Sequence, residues 1–464
     1  MRGVPTSELR SLVAVECRRF AVPGAAVAVV AGGEVVLAEG FGRRNETEPV
    51  TSKTLYMLAS DTKCFAAATL CLLVEDGDLD LDRPVQDYLP WFAMHDERIS
   101  GWVTCRDLLA HRTGLPRHDL MTVGDGGFVI TNEEIARKMR YLEGSRPFRQ
   151  GFGYNNAHYA TAGHVTEVLT ARPWAGFLAE RVLVPLGMSA TSTYRPELSQ
   201  FDFAAPHVGG RRLPFQTRGY DLPSGGLVTN AEDLSRWLLA RLGHGPISSA
   251  VLRMLHAPSV ISGEELPFEE LQPMGYALGN LVFAYRGHRL HLHGGSQIGF
   301  ASQVVVVPDA QVGVAVMTNA HGSRLPLALA LSLLDPLLGL EPLPWGVRLG
   351  DEATPVPAPP PPRQPPPRAV QDYAGRFRHP AYGEFALRVG DGGLVPSFHG
   401  LDDQLTLTHL GDDQWRLDFA SVPGFQVPVT FGCAPGGEIV AAVLRLEPAL
   451  APLEFPRDDV GCPA

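Results

Sequence analysis

Apolar positions change period several times along this chain, and each change marks an element. Leu9, Leu12, Val13 and Cys17 recur at helical spacing, which predicts a helix over residues 6–20 with one buried face. Residues 25–30 and 35–41 are instead short apolar runs split by Gly32-Gly33, the pattern of two strands joined by a glycine turn. An unbroken apolar run over 64–73 predicts a helix that opens near Ser60 and ends at Asp76-Gly77. From about 80 to 200 the pattern is mostly helical with short loops. It includes 103–109, the turn 111–116, a segment 131–142 that opens on the capping box Thr131-x-x-Glu134, and 159–169. A glycine turn at 223–230 leads into a helix over 231–242. Residues 303–307 and 313–318 read as strands around Pro308-Asp309, followed by a helix near 324–338. Strands at both ends with helices between them predict an α+β fold. Its parts are one antiparallel sheet of sequence-distant strands, flanking helices and an inserted helical subdomain.

The pattern then breaks. Residues 354–368 read TPVPAPPPPRQPPPR, with nine prolines in fifteen residues. Proline lacks a backbone donor and fixes φ, so this stretch predicts an extended spacer. It divides the chain into a domain over 1–350, a linker over 351–368 and a second domain over 369–464. The last part alternates in short runs with turns at 390–393, 411–413 and 435–437, which predicts a small antiparallel β-barrel.

Composition narrows the classes of function. A net charge of −11 argues against nucleic acid or an anionic membrane surface as partner. The six cysteines are scattered without a Cys-x-x-Cys pair, so neither a zinc site nor a disulfide framework is expected. The first twenty residues lack an unbroken apolar segment with a small-residue cleavage site, and no apolar run is long enough to span a bilayer. A cytoplasmic location is the expectation.

One basic residue stands out. Of 39 basic residues only Lys53, Lys63 and Lys138 are lysine, leaving 36 arginines. Lys63 is the one lysine with a serine three residues before it, Ser60, one helical turn away. A guanidinium does not release its proton in proteins, whereas a desolvated ammonium does. A serine hydroxyl needs such a base to become a nucleophile, and a helix N-terminus favours the oxyanion that follows. Two further motifs fit the same chemistry. Tyr154-Asn155-Asn156 sets a phenol beside a carboxamide ahead of the 159–169 helix. His293-Gly294-Gly295 ends a strand over 288–293, where paired glycines admit a substrate backbone.

Taken in order, Ser60-x-x-Lys63, Tyr154-x-Asn156 and His293-x-Gly295 resemble the motif set of the penicillin-recognising serine hydrolases. The Tyr-x-Asn form is similar to the class C β-lactamase branch, with its D-stereospecific peptidases and esterases. LLAHRTGLPRHD at 108–119, LVPLGM at 183–188 and HGGSQIGF at 293–300 support the likeness, which spans roughly residues 10–345. The resemblance implies that Ser60 is acylated, Lys63 is its base and Tyr154 shuttles protons. It also implies that Asn156 holds Lys63 and substrate, and that His293 replaces the lysine usual in the third motif. The N–H groups of Ser60 and Ser296 would form the oxyanion hole, with Gly294 and Gly295 lining the substrate. No cofactor or metal is implied. Because true β-lactamases mostly keep lysine where His293 stands, the resemblance favours a peptidase or esterase acting on D-residue-containing peptides or esters. The alternative is a thioesterase that takes a peptidyl chain from a carrier protein and cyclises it; a β-lactamase and a non-enzymatic binding member rank lower. Homo-oligomers are compatible with each.

The tail, with DYAGRFRHPAYGEFAL at 372–387, resembles the lipocalin-like domain behind some members of this family. There Arg445 and Arg457 are candidates to hold a substrate carboxylate. Other groups read as structure. The histidines at 288, 291 and 293 lack an acidic partner nearby. His111, Arg117, His118 and Asp119 read as a turn, Cys64 as packing, and Glu75–Asp78 as a solvated helix end.

Overall fold

The computed structural model describes residues 4–122, 130–216, 219, 222–261, 266–350, 365–391, 393–398, 405–420 and 425–458. Residues 351–364, most of the proline-rich linker, lie outside them, as does Gly392 in the turn expected at 390–393.

The centre is a seven-stranded antiparallel sheet. Its strands are β1 (Gly24–Ala31), β2 (Glu34–Gly42), β3 (Leu271–Tyr276), β4 (Leu281–Tyr285), β5 (His288–Gln297), β6 (Phe300–Val307) and β7 (Val312–Thr318), in the order β2-β1-β7-β6-β5-β4-β3. The first and last thirds of the fold meet at β1 and β7, where Ala25 pairs with Thr318 and Val29 with Val314. Both faces of the sheet are covered, so β1 is apolar throughout rather than alternating. Its odd positions, Val27 and Val29, face a layer built from the helices Thr6–Arg19 (α1) and Leu325–Leu337 (α5). Its even positions, Ala26 and Ala28, face the helical insertion. Alanine there lets the helix Ala231–Arg241 (α4) lie close against the strand.

Within that insertion the helix Thr62–Asp76 (α2) is buried on all sides from Thr62 through Leu73, which is why its sequence shows no polar stripe. It stops at Gly77, whose φ of 85° places the C-cap in the left-handed region that glycine adopts freely. Phe65 on α2 stacks on Trp237 of α4 with ring centres 3.9 Å apart. The helix Asn156–Thr170 (α3) packs beside α2. The capping box at Thr131 and Glu134 forms as the sequence indicates.

The C-terminal part departs from the barrel expectation. Its strands form one three-stranded sheet (Gly375–His379, Gly383–Gly390, Gly393–Phe398) and one five-stranded sheet from Leu405–Gly411 to Leu453–Pro456. All pairings are antiparallel, but among the described residues the two ladders do not merge into a closed barrel. Bulky aromatics fill the space between them. Phe377 meets Phe431 at 6.1 Å and Phe398 meets Phe455 at 6.2 Å, so the two sheets pack face to face across an aromatic layer. Among the described residues one bridge, Phe377 to Arg457, joins the two sheets at one side.

Candidate active site

The nucleophile candidate sits on a tight turn rather than in the helix proper. Ala59–Asp61 is one turn of 3-10 helix, and α2 begins at Thr62. Ala59 has φ 49°, a left-handed conformation that costs a non-glycine residue energy and so requires support from its surroundings. That support is visible on two sides. Tyr56 and Met57 pair with Thr229 and Val228, and the Leu58 N–H donates to the Leu227 carbonyl at 2.8 Å. From the other side Gly295 of β5 lies flat against the turn. A Cβ there would press into the Leu58 carbonyl oxygen and the Ser302 hydroxyl. The glycine is therefore demanded by the nucleophile turn itself.

Asp61 stands at the N-cap of α2 but does not cap it. Its carboxyl lies 2.6 Å from Ser302 Oγ, which in turn lies 2.8 Å from the Leu58 carbonyl oxygen. Burial pushes the Asp61 carboxyl well above the usual range. In the protonated form Asp61 donates to Ser302, and Ser302 donates to Leu58, so each proton has one acceptor.

Lys63 is the centre of the site. It is fully buried, and its Nζ lies 3.2 Å from Ser60 Oγ, 2.7 Å from Asn156 Oδ1 and 2.6 Å from the Ser224 carbonyl oxygen. The Asn156 orientation follows from its other end, where Nδ2 donates to Asp119 Oδ1 at 2.8 Å. Asn156 Oδ1 and the Ser224 carbonyl can only accept. A neutral amine has two protons, and these two acceptors take both. The remaining lone pair then faces the Ser60 hydroxyl. Burial lowers the Lys63 pKa well below 10.5, and the nearby Arg117 guanidinium adds to this; Asp119 and Asp61 oppose it.

The partners of Lys63 are held in turn. Asn156 is the first residue of α3, and Asn155 is its N-cap. The Asn155 N–H donates to His111 Nδ1 at 3.2 Å and its side-chain amide to the Pro116 carbonyl at 2.6 Å. His111 Nδ1 thus bears no proton, so the nearby His158 Nδ1, at 3.1 Å, carries one, and His158 Nε2 accepts from Thr113 at 2.7 Å. Burial holds both rings neutral, His158 down at about 3. The Ser224 loop is pinned where the Leu227 N–H donates to Thr62 Oγ1 at 3.2 Å and where Pro223 packs against Gly163 of α3, leaving no room for a side chain there.

The Tyr154 ring is surrounded by Lys63 Nζ at 4.8 Å, the Arg117 guanidinium at 4.7 Å and the His111 ring at 4.6 Å. His293 lies 6.0 Å from it, ring centre to ring centre. The His293 Nδ1–H donates to the Gly294 carbonyl at 2.8 Å. Burial holds the ring neutral, at about 3. It therefore supplies no cation to a substrate carboxylate. Pairing of β5 with β4 ends at Leu292, while pairing with β6 runs on to Gln297. Residues 293–297 thus have one open edge, with Gly294 and Ser296 exposed.

Ser60, Lys63, Tyr154, Asn156 and His293 thus converge. The two arginines do not join them. Arg457 is committed inside the C-terminal domain, donating to the Asp372, Ala374 and Ile439 carbonyls with its guanidinium 5.7 Å from the Phe377 ring centre. Arg445 is exposed beyond the strand Ile439–Leu444, two residues before Glu447, which reaches the catalytic domain. Sequence reading passed over Ser224, Asp61 and Ser302 and took His111, Arg117 and Asp119 for turn structure, whereas they stand around Tyr154, Asn156 and Lys63. The motif Pro223-Ser-Gly-Gly marked the Ser224 loop, and LLAHRTGLPRHD marked the other, but neither showed which atoms face Lys63. Among the described residues no group of three or more His, Cys, Asp or Glu could hold a metal, and no helix is long and apolar enough to cross a membrane.

Comparison with known proteins agrees with this geometry. Residues 12–334 match the family described as Beta-lactamase, and residues 359–457 match a domain of unknown function (DUF3471). An unguisins hydrolase of Aspergillus campestris (strain IBT 28561) is 29% identical over 411 residues, covering 80% of this chain and 75% of the relative. The octameric penicillin-binding protein homologue from Pyrococcus abyssi superposes with a TM-score of 0.64 at 23% identity, covering 96% of this chain and 99% of that one. The D-amino acid amidase from Ochrobactrum anthropi SV3 gives a TM-score of 0.57 at 22% identity, over 72% and 98%. The family match extends over more than two thirds of the residues and includes all three motifs, so this chain belongs to the β-lactamase and penicillin-binding-protein-like serine hydrolases.

Proposed function

We propose that the protein is a serine hydrolase that forms an acyl-enzyme on Ser60 and acts on peptides or esters with a D-configured residue at the attacked carbonyl. The observation that carries the reading is the placement of the buried Lys63 Nζ, 3.2 Å from Ser60 Oγ and held from its other sides by Asn156 Oδ1 and the Ser224 carbonyl. In the first step Lys63 takes the Ser60 proton as Oγ bonds to the carbonyl carbon. The oxyanion is received by the N–H groups of Ser60 and Ser296. The C–N or C–O bond then breaks, and Tyr154 or Lys63 returns a proton to the leaving group. Water attacks the acyl ester by the same route, releasing the acid and restoring Ser60.

A neutral His293 argues against a β-lactamase-like grip on a carboxylate, and the open edge at 293–297 suits an extended peptide backbone. With the carbonyl and the backbone both fixed, one configuration sends its side chain to solvent and the other into the wall. The D preference draws further support from the amidase of the same fold, whose name specifies D-amino acids.

Matched peptidyl esters and thioesters ending in D- or L-alanine test this. The expected result is a preference for D of about 30-fold or more, with linear acid as product. A cyclic product would instead indicate the thioesterase reading. Indifference to configuration with fast turnover of simple esters would leave only a carboxylesterase.

A further inference from the structure

The C-terminal domain meets the catalytic domain at the loop bearing Arg117, His118 and Asp119; Arg117 and Asp119 pair with each other at 2.7 Å on the active-site side, while His118 faces the other way. Arg117 lies over the Tyr154 ring. Asp119 accepts from Asn156, whose other end accepts from Lys63. His118, with φ 49°, turns to the C-terminal domain. Its backbone N–H donates to Glu447 Oε2 at 3.1 Å, and its Nδ1 lies 2.6 Å from the Tyr382 hydroxyl. His118 Nε2 lies 2.9 Å from the Glu143 carbonyl, which only accepts, so Nε2 carries the ring proton and Tyr382 donates to bare Nδ1.

We infer that Tyr382 and Glu447 are positioning residues for the catalytic base, holding the 116–119 loop so that Asp119 and Arg117 stay against Asn156 and Tyr154. A contact made only for packing would be apolar. This one buries His118, Tyr382 and Glu447, a costly choice unless every polar atom is matched and the match fixes a geometry. The chain from Tyr382 through His118, Asp119 and Asn156 to Lys63 has one step without a hydrogen bond, the peptide bond from His118 to Asp119. The inference rests on the reading of Lys63 as the base of Ser60.

The groups facing Lys63 define what slackening of the loop does. Ser60 and Asp61 face it from its own turn, Tyr154, His158 and Tyr159 from the α3 segment, and His111 and His293 from either side. Burial disfavours the charged forms of the histidines and of Asp61, so the charges that bear on Lys63 are those of Arg117 and Asp119, both on the loop. Arg117 outweighs Asp119. Withdrawing the pair, and admitting water, therefore favours the ammonium form and moves the acid limb of activity to higher pH.

The test is the pH dependence of kcat and KM for a small activated ester in full-length Tyr382→Phe, Glu447→Ala and Glu447→Gln, with melting curves alongside. Expected is a fall in kcat of about three- to tenfold for Tyr382→Phe and Glu447→Ala, with little change in KM and an acid limb at higher pH. Glu447→Gln keeps an acceptor for the His118 N–H and should restore most of the loss. A profile that superimposes on wild type overturns the inference even where total activity drops, because a smaller folded fraction scales the curve without moving it. Lys63→Ala serves as control. If it keeps wild-type turnover, the inference falls together with the reading beneath it; if it is inactive while Tyr382→Phe matches wild type, the inference alone falls.

Discussion

Lys63 and the aromatic interior of the C-terminal domain are both buried, yet their surroundings are built by opposite means. Around Lys63, buried polar atoms meet one another at 2.6–3.2 Å in an order that dictates where each proton sits. In the C-terminal domain, Tyr373, Phe377, Phe385, Phe398 and Phe455 fill the interior, and charged pairs such as Arg376 with Glu384 stay at the surface. The first arrangement is intolerant, since removing one partner strands another in a low dielectric. The second depends on volume and tolerates change at its rim. Chemistry belongs to the region where geometry is over-determined.

The contrast breaks first at Lys63. Lys63→Arg preserves charge but not basicity, and should lose about a hundredfold or more in kcat, nearly as much as Lys63→Ala. Retention of most activity by the arginine variant would reduce Lys63 to a charge holder. Next comes Gly295→Ala. The new methyl would push into the Leu58 carbonyl and Ser302, costing about 1–3 kcal/mol in stability and displacing Ser60. Thermal melting with ester turnover checks both; a neutral substitution would mean the turn can yield.

Acid should sharpen the difference between the regions. His158, His256 and His293 sit at about 3 and His291 at about 2, against an ordinary 6.5. Below 6.5 the unfolded chain binds protons that the native state refuses. Their contribution is thus complete above 6.5 and drains away as pH falls toward 3. The expected fall in Tm between pH 7.5 and 4.5 is about 5–10 °C. A constant or rising Tm would show these rings already protonated in the fold. The smallest effect is at the rim. Arg376→Ala, at a half-exposed ion pair, should leave turnover unchanged and Tm within about 1 °C.

Much of the site was legible because its chemistry has a period. Ser60 and Lys63 are one turn apart, and the scarcity of lysine made the pair conspicuous. Ser224 was not legible, since the atom it contributes is a backbone carbonyl that every residue possesses. The Ser302 to Asp61 contact joins positions 241 residues apart, a distance no local pattern encodes. In the fold, β1, β2, β6 and β7 announced themselves as apolar runs. β3 carries no apolar run, being interrupted by Pro273 and Gly275; as the edge strand with an irregular register at those residues, it accommodates both. The tail was legible as β but not as two sheets, because its turns fix strand lengths and not which ladders close.

The central claim is that Lys63 rests as a neutral amine with its lone pair on Ser60. With three lysines in the chain, selective carbon-13 labelling of lysine gives a spectrum of three Cε signals. Titration by NMR should show one of them, absent in Lys63→Ala, already at the free-amine position at neutral pH and shifting only under acid. Three signals that all remain ammonium until about pH 10 would contradict the account.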